Sequence, residues 1–171
     1  MKVLAIDVGI QITGFVIADV KNLNIELIKE GQIKPRPKQS LPEKLGYIFQ
    51  ELESQVKQFA PEAILAEKLY SHYRHPTTLG ILAHVTGVVA LLAQQQGLGF
   101  YEFAPTRARK SFTGKGNVNS LQVKKMAENL TGRKFKSTHT ADAYSLVGAF
   151  SHMQKVKRIE KEVTKINDFT H

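Results

Sequence analysis

Residues 2–10, KVLAIDVGI, decide the fold. Val3 to Ile6 is a short continuous apolar run bounded by turn signals, the pattern of a buried strand. The strand ends at Asp7, and Gly9 permits a sharp turn. "ITGFVIADV" (12–20) reads as a second strand. "NIELIKEGQI" (24–33) reads as a third, with apolar Ile25 and Leu27 and polar Lys29 at alternate positions. The connections are short and carry Gly or Lys-Asn, so the three strands read as an antiparallel meander.

Downstream, Ser40 and Glu43 form a capping-box pattern with Pro42 in the first turn. The helix that follows puts Leu45, Ile48, Phe49, Leu52, Val56 and Phe59 on one face and stops before Pro61. "AILAEKLY" (63–70) is a short buried strand with Glu67 near its carboxyl end, and "SHYRHP" is a loop. Thr77 to Gln96 is a helix apolar nearly all round, with small residues at Gly80, Ala83, Gly87 and Ala90. "GFYEFAP" (99–105) is a fifth strand, and "TRARKSFTGKGN" is a basic segment punctuated by glycine. Asn119 to Leu130 is a helix stopped by Gly132, and another begins near His139. In the tail, Val156, Ile159, Val163 and Ile166 recur at helical spacing. The element order describes an α/β layer fold with a mixed five-stranded sheet flanked by helices and a basic C-terminal helix.

The chain has 171 residues, enough for one well-packed domain, and no cysteine, which excludes disulfides and thiolate metal sites. The opening strand carries Lys2 and Asp7, unlike a signal peptide. The most apolar window, Leu79 to Ala93, contains His84 and Thr86 and is shorter than a membrane span. A cytoplasmic protein with no membrane partner is expected. Net charge is +9 and uneven: residues 1–100 carry 10 Lys/Arg against 9 Asp/Glu, residues 101–171 carry 14 against 6. Within 105–136 nine bases face one acid, Glu128. Such a patch favours a polyanionic partner, and its density favours nucleic acid.

Three acids stand where solvated acids normally do not. Asp7 and Glu67 end strands, and Asp142 opens an apolar helix three residues after His139, on the same helix face. Taken singly, each has a bland reading: Asp7 caps a turn, Glu67 is a surface strand end, and Asp142 suits a helix dipole beside an incidental His139. Taken together, carboxylates at the carboxyl ends of strands converge on one crevice and repel each other unless a cation intervenes. Oxygen-rich sites suit Mg²⁺ or Mn²⁺, which also bridge phosphates, and an imidazole nitrogen is tolerated. In a basic protein, the set favours a metal-dependent phosphodiesterase.

"AIDVGIQITGFVI", "AILAEKLY", "FYEFAPTRARKSFTGKG" and "HTADAYSLVGAF" resemble, in order and spacing, the motifs of RuvC-type Holliday junction resolvases, over residues 3 to 153. These are crossover junction endodeoxyribonucleases with a ribonuclease H-like fold. The resemblance implies a homodimer that nicks two strands of like polarity in four-way junction DNA, leaving 5′-phosphate and 3′-hydroxyl ends. It implies Mg²⁺ or Mn²⁺ held by Asp7, Glu67, His139 and Asp142, two ions per site, and allows branch-migration proteins as partners; Asp7, on a strand at the centre of the fold, is the acid expected to bridge the ions. Many relatives carry Asp where this chain has His139. Tyr70 stands at the place of an aromatic that wedges at the junction centre. Arg109 matches the first of two basic positions and Ser120 falls at the second, for which Lys115 or the Lys124–Lys125 pair can substitute.

Tyr73, Arg74, Arg107 and Lys110 complete the expected DNA-binding set, aromatics stacking on bases while cations hold phosphates. Residues 1–153 then form the nuclease domain and 154–171 a basic helical tail. Two rivals stand beside this reading. One is a catalytically inactive nucleic-acid-binding module, against which the intact acid set argues. The other is an actin-like ATPase or sugar-kinase phosphate turn at "DVGIQITG", which needs two such domains where this chain has room for one.

Overall fold

The computed structural model describes residues 1–21, 24–69 and 75–168, with side chains to residue 160. Five strands form one sheet: β1 (Lys2–Asp7), β2 (Thr13–Lys21), β3 (Asn24–Ile33), β4 (Ala63–Glu67) and β5 (Gly99–Phe103). Their spatial order is β3-β2-β1-β4-β5. β1 to β3 are antiparallel neighbours, whereas β4 and β5 run parallel to β1. The apolar run of β1 is explained by this placement: it is the middle strand, and Val3 to Ile6 are fully buried.

Strand side chains alternate between faces. Leu4, Ile6, Ile17 and Ile64 face α1 (Leu41–Phe59) and α2 (Pro76–Gln95). Val3, Ala5, Val16 and Leu65 face α3 (Pro105–Thr113), α4 (Ser120–Thr131) and α5 (Thr138–Asp168). Asp7, Gly14 and Glu67 share the parity of this second set, so they point towards α5. The expected capping box at α1 is present: the Ser40 N–H and hydroxyl both donate to the Glu43 carboxylate, 2.6 Å each.

Two elements differ from the sequence reading. Residues 105–113, read as part of an irregular basic segment, form α3, which buries Ala108 and Phe112 and ends at Gly114 in the left-handed region (φ 80°). Pro105 opens this helix in its first turn, where a missing N–H costs nothing. The segment's high charge conceals the two-residue apolar contact that holds it. α2 has the twenty residues read for it, and as a whole helix it is long and apolar enough to cross a bilayer, where the apolar window Leu79 to Ala93 alone was too short. It is not buried all round. Val85, Val89, Leu92 and Ala93 pack inward, while Gly80, Ala83, Gly87 and Leu91 are exposed. α5 runs unbroken through residue 153, so the boundary drawn between domain and tail falls inside one helix.

Candidate active site

β1 and β4 are parallel with Ile6 opposite Ala66, which sets Asp7 and Glu67 at the carboxyl ends of adjacent strands. α5 crosses that edge with its first turn. Its start is closed reciprocally: the Thr140 N–H donates to the Ser137 hydroxyl (3.2 Å) and the Ser137 N–H to the Thr140 hydroxyl (3.3 Å). His139 and Asp142, three apart, both reach back towards the strand ends. His139 Nδ1 lies 2.7 Å from Asp7 Oδ2. Asp142 Oδ1 lies 3.5 Å from an Arg109 guanidinium nitrogen, and the two carboxylates are only 17% and 12% exposed. His139 thus pairs with Asp7, while Glu67 lies within electrostatic range of Asp7 and Asp142 at the same sheet edge.

The electrostatics are those of crowded acid. Burial pushes the Asp7 carboxyl above its ordinary value, opposed by the His139 hydrogen bond and charge and reinforced by Asp142. Burial, then repulsion from Asp7 and Asp142, raises Glu67 to about 7, with Arg109 opposing. No hydrogen bond reaches the Glu67 carboxylate among the described residues. The Asp7 hydrogen bond raises His139.

Arg109 has a different neighbourhood from the one its position suggested. From α3 it donates to the Val118 carbonyl (3.0 Å) and to the Ser120 hydroxyl (3.2 Å) as well as facing Asp142. Ser120, standing where a second base was expected, is the group that receives it. The guanidinium thus ties α3, the start of α4 and α5 together beside the acids. Arg107, Lys110 and Lys115 are exposed on α3 and the turn after it. Lys124 and Lys125 line a cleft along α4 with Leu121, Arg133 and Lys134, and none of the four acid-site residues borders it. Tyr70, Tyr73 and Arg74 lie outside the described residues.

One participant escaped the sequence reading. Gly14 pairs with Asp7 across β1 and β2 and sits beneath the backbone of His139. A glycine inside a strand, opposite a site carboxylate, was the available signal.

Three carboxylates and an imidazole suit a hard divalent cation by their chemistry. As placed, no three His, Asp or Glu side chains among the described residues close on one point. Asp7 is engaged by His139 and Asp142 by Arg109.

A mixed five-stranded sheet with helices on both faces, and acids at the carboxyl ends of its central strands, is the ribonuclease H-like arrangement. The model of one family, described as crossover junction endodeoxyribonuclease RuvC, matches residues 3–152. The chain belongs to that family, the resolvases of Holliday junctions. It is 29% identical over 156 residues to the RuvC of Brevibacillus brevis, covering 90% of this chain and 92% of the relative. The fold superposes on Thermus thermophilus RuvC with a TM-score of 0.81 at 23% identity, covering 92% and 97% of the two chains. The same protein in complex with a Holliday junction substrate gives a TM-score of 0.80 at 21% identity, covering 91% and 96%.

Proposed function

We propose that this resolvase acts as a homodimer that nicks two strands of like polarity, each through a divalent-metal site held by Asp7, Glu67, His139 and Asp142. The observation that carries this reading is the crowding of three carboxylates, two of them raised by burial and mutual repulsion. Anions so placed are stable together only with positive charge among them. Family membership implies dependence on a divalent metal. Hard oxygen donors favour Mg²⁺ or Mn²⁺; two ions per site would be held by Asp7, on the middle strand, together with Glu67, His139 and Asp142. When bound, the ions polarise the scissile phosphate and lower the pKa of the attacking water.

The chain's own residues do the rest. Glu67 and Asp142 flank Asp7 from an adjacent strand and a facing helix, so a phosphate is gripped from elements that cannot move independently. His139 orients Asp7 through Nδ1. Arg109 holds Asp142 and offsets acid charge, while the exposed Arg107, Lys110 and Lys115 and the more distant Lys124 and Lys125 serve the DNA backbone. Tyr70, Tyr73 and Arg74 follow Glu67 closely enough in sequence to address the junction centre. The junction complex of the Thermus relative supports this choice of substrate. The products are 5′-phosphate and 3′-hydroxyl ends. Branch-migration proteins are its natural partners and the cytoplasm its compartment.

The two copies meet, on this reading, through the exposed face of α2. A four-way junction has two-fold symmetry, and a closed isologous interface fixes the separation of two sites. The test offers the protein a synthetic four-way junction, a linear duplex and ATP, with Mg²⁺, Mn²⁺ or a chelator. Paired, ligatable nicks confined to the junction and lost with chelation support the reading. Equal cutting of the linear duplex, or cutting under chelation, refutes it.

A further inference from the structure

Gly14 is fully accounted for neither as a turn residue nor as a strand residue. It lies inside β2, where glycine weakens a strand by its backbone freedom and lack of packing surface. Its φ is not in the left-handed region, so conformation does not demand it. Space does. A Cβ built on Gly14 would stand 2.5 Å from both the carbonyl carbon and the carbonyl oxygen of His139, and 2.8 Å from its Cβ. Two of those three atoms are backbone, so no side-chain rotation relieves the contact. Gly14 is also the cross-strand partner of Asp7, and directly opposed residues in an antiparallel pair point to the same face. The vacant side-chain position is thus next to the Asp7 carboxylate and directly below the residue that hydrogen-bonds it.

We infer that Gly14 is a positioning residue: its missing side chain sets the depth of the α5 start and thereby the reach of His139 to Asp7. This inference rests on the assignment of His139 and Asp7 to the site. The anchoring of α5 explains why the effect is local. The helix is held in its first turn by the buried Thr140 and Ala141 and beyond it by the buried Ala143, Tyr144, Leu146, Val147 and Phe150. Packed interiors give little, so a methyl at position 14 is relieved chiefly at the residue it meets, the half-exposed His139. His139, in contact with the intruding methyl, moves most. Asp142 lies one turn further along and faces Arg109, so it moves less. A 2.7 Å hydrogen bond has no slack for a displacement of that kind. Gly46 supplies the control, because a Cβ there meets nothing within 4 Å.

The experiment compares Gly14→Ala, His139→Ala and the double variant, with Gly46→Ala as control. It reads junction affinity without metal, turnover with metal, and the ring-nitrogen NMR signals of His139 in the metal-free protein. Gly14→Ala should stay folded and bind junctions within about twofold of the parent. Its turnover should fall by up to about a hundredfold, the cost of a displacement near 1 Å at a reacting site. The His139 ring signals should lose the mark of the Nδ1 hydrogen bond, which a general loss of stability does not remove selectively. In the His139→Ala background, Gly14→Ala should cost no more than about twofold further, because residues acting as a unit are not additive. An unchanged ring signature and full turnover in Gly14→Ala overturn the inference, as do additive losses in the double variant. Failure of Gly14→Ala to fold at any temperature overturns it too, since the close approach is then a requirement of the fold. Full turnover in His139→Ala refutes instead the site assignment beneath it, a result readable separately from the others.

Discussion

Glu67 makes the binding of a divalent ion a proton-exchange reaction. The carboxyl is raised from the ordinary 4.5 to about 7, by burial first and by Asp7 and Asp142 next. At pH 6 it is then about nine-tenths protonated and at pH 8 about one-tenth, so the ionised fraction differs about tenfold between the two. Cation affinity at the site should therefore rise about tenfold from pH 6 to pH 8 through Glu67 alone, with close to one proton released per site at the lower pH. Raised Asp7 and raised His139 add in the same direction. The metal-free fold shows the opposite sign. Folded Glu67 keeps its proton to about 7 while the unfolded chain gives it up near 4.5, so stability falls as pH rises through that window. The full cost is at most about 3 kcal/mol, reduced by the water that reaches the carboxylate. Calorimetric titration of Mn²⁺ in buffers of different ionisation enthalpy measures the proton release, and metal-free melts against pH measure the stability. Glu67→Gln should abolish the first effect and stabilise the metal-free protein at neutral pH. Affinity independent of pH between 6 and 8, with no proton released, would refute the crowded-carboxylate account.

Asp7→Asn and Asp142→Asn should each abolish cleavage while junction binding persists, because the proposal assigns phosphate contacts to the basic helices and not to the acids; gel-shift and nicking assays on the same preparations decide it, and full-rate cleavage by either variant removes that residue from the site. Ligation needs a neutral imidazole, and the hydrogen bond to Asp7 holds the His139 proton to higher pH than usual, so activity should fall on the acid side while His139 is protonated. His139→Asp should keep activity and relieve that loss, and an unaltered acid limb in its pH–rate profile would show that another group sets it. A bulky Gly87→Leu should split the dimer in sedimentation without lowering the melting temperature of the monomer, since a Cβ at Gly87 meets nothing within 4 Å in one copy; a persistent dimer would move the interface off α2.

The fold was legible where hydrophobic pattern and geometry have the same period. Val3 to Ile6 are apolar on consecutive positions because both faces of the middle strand are covered. β3 alternates only in part, because a register shift opposite Ile17 and Ala18 switches its faces: buried Leu27 packs into one core layer and buried Ile33 into the other. α3 was illegible for a physical reason. Nine residues anchored by Ala108 and Phe112, with Arg107 before them and Arg109 and Lys110 between them, present too little apolar surface to show a helical period. α2 was legible as a helix over its full length, but not in which face it buries. Its near-uniform apolarity signals burial on all sides, whereas its small residues leave a bare outer face in the single chain.

The site separates along the same line. Asp7, Glu67 and Asp142 could be found from sequence because chemistry-bearing residues at element ends are conspicuous against apolar runs. The pairing of His139 with Asp7 and not with Asp142, its near neighbour in sequence, depends on how deep α5 sits over the sheet. That depth is written in a side chain that is absent, at Gly14, and absence has no hydrophobic period. Arg109 shows the converse. Its basic character suggested phosphate, but its three partners, Val118, Ser120 and Asp142, come from separate segments that only tertiary packing brings together. A serine at position 120 therefore does more than omit a charge. It accepts from the guanidinium beside Asp142, where a lysine would repel it, so the loss of one base and the placement of the other are a single structural choice.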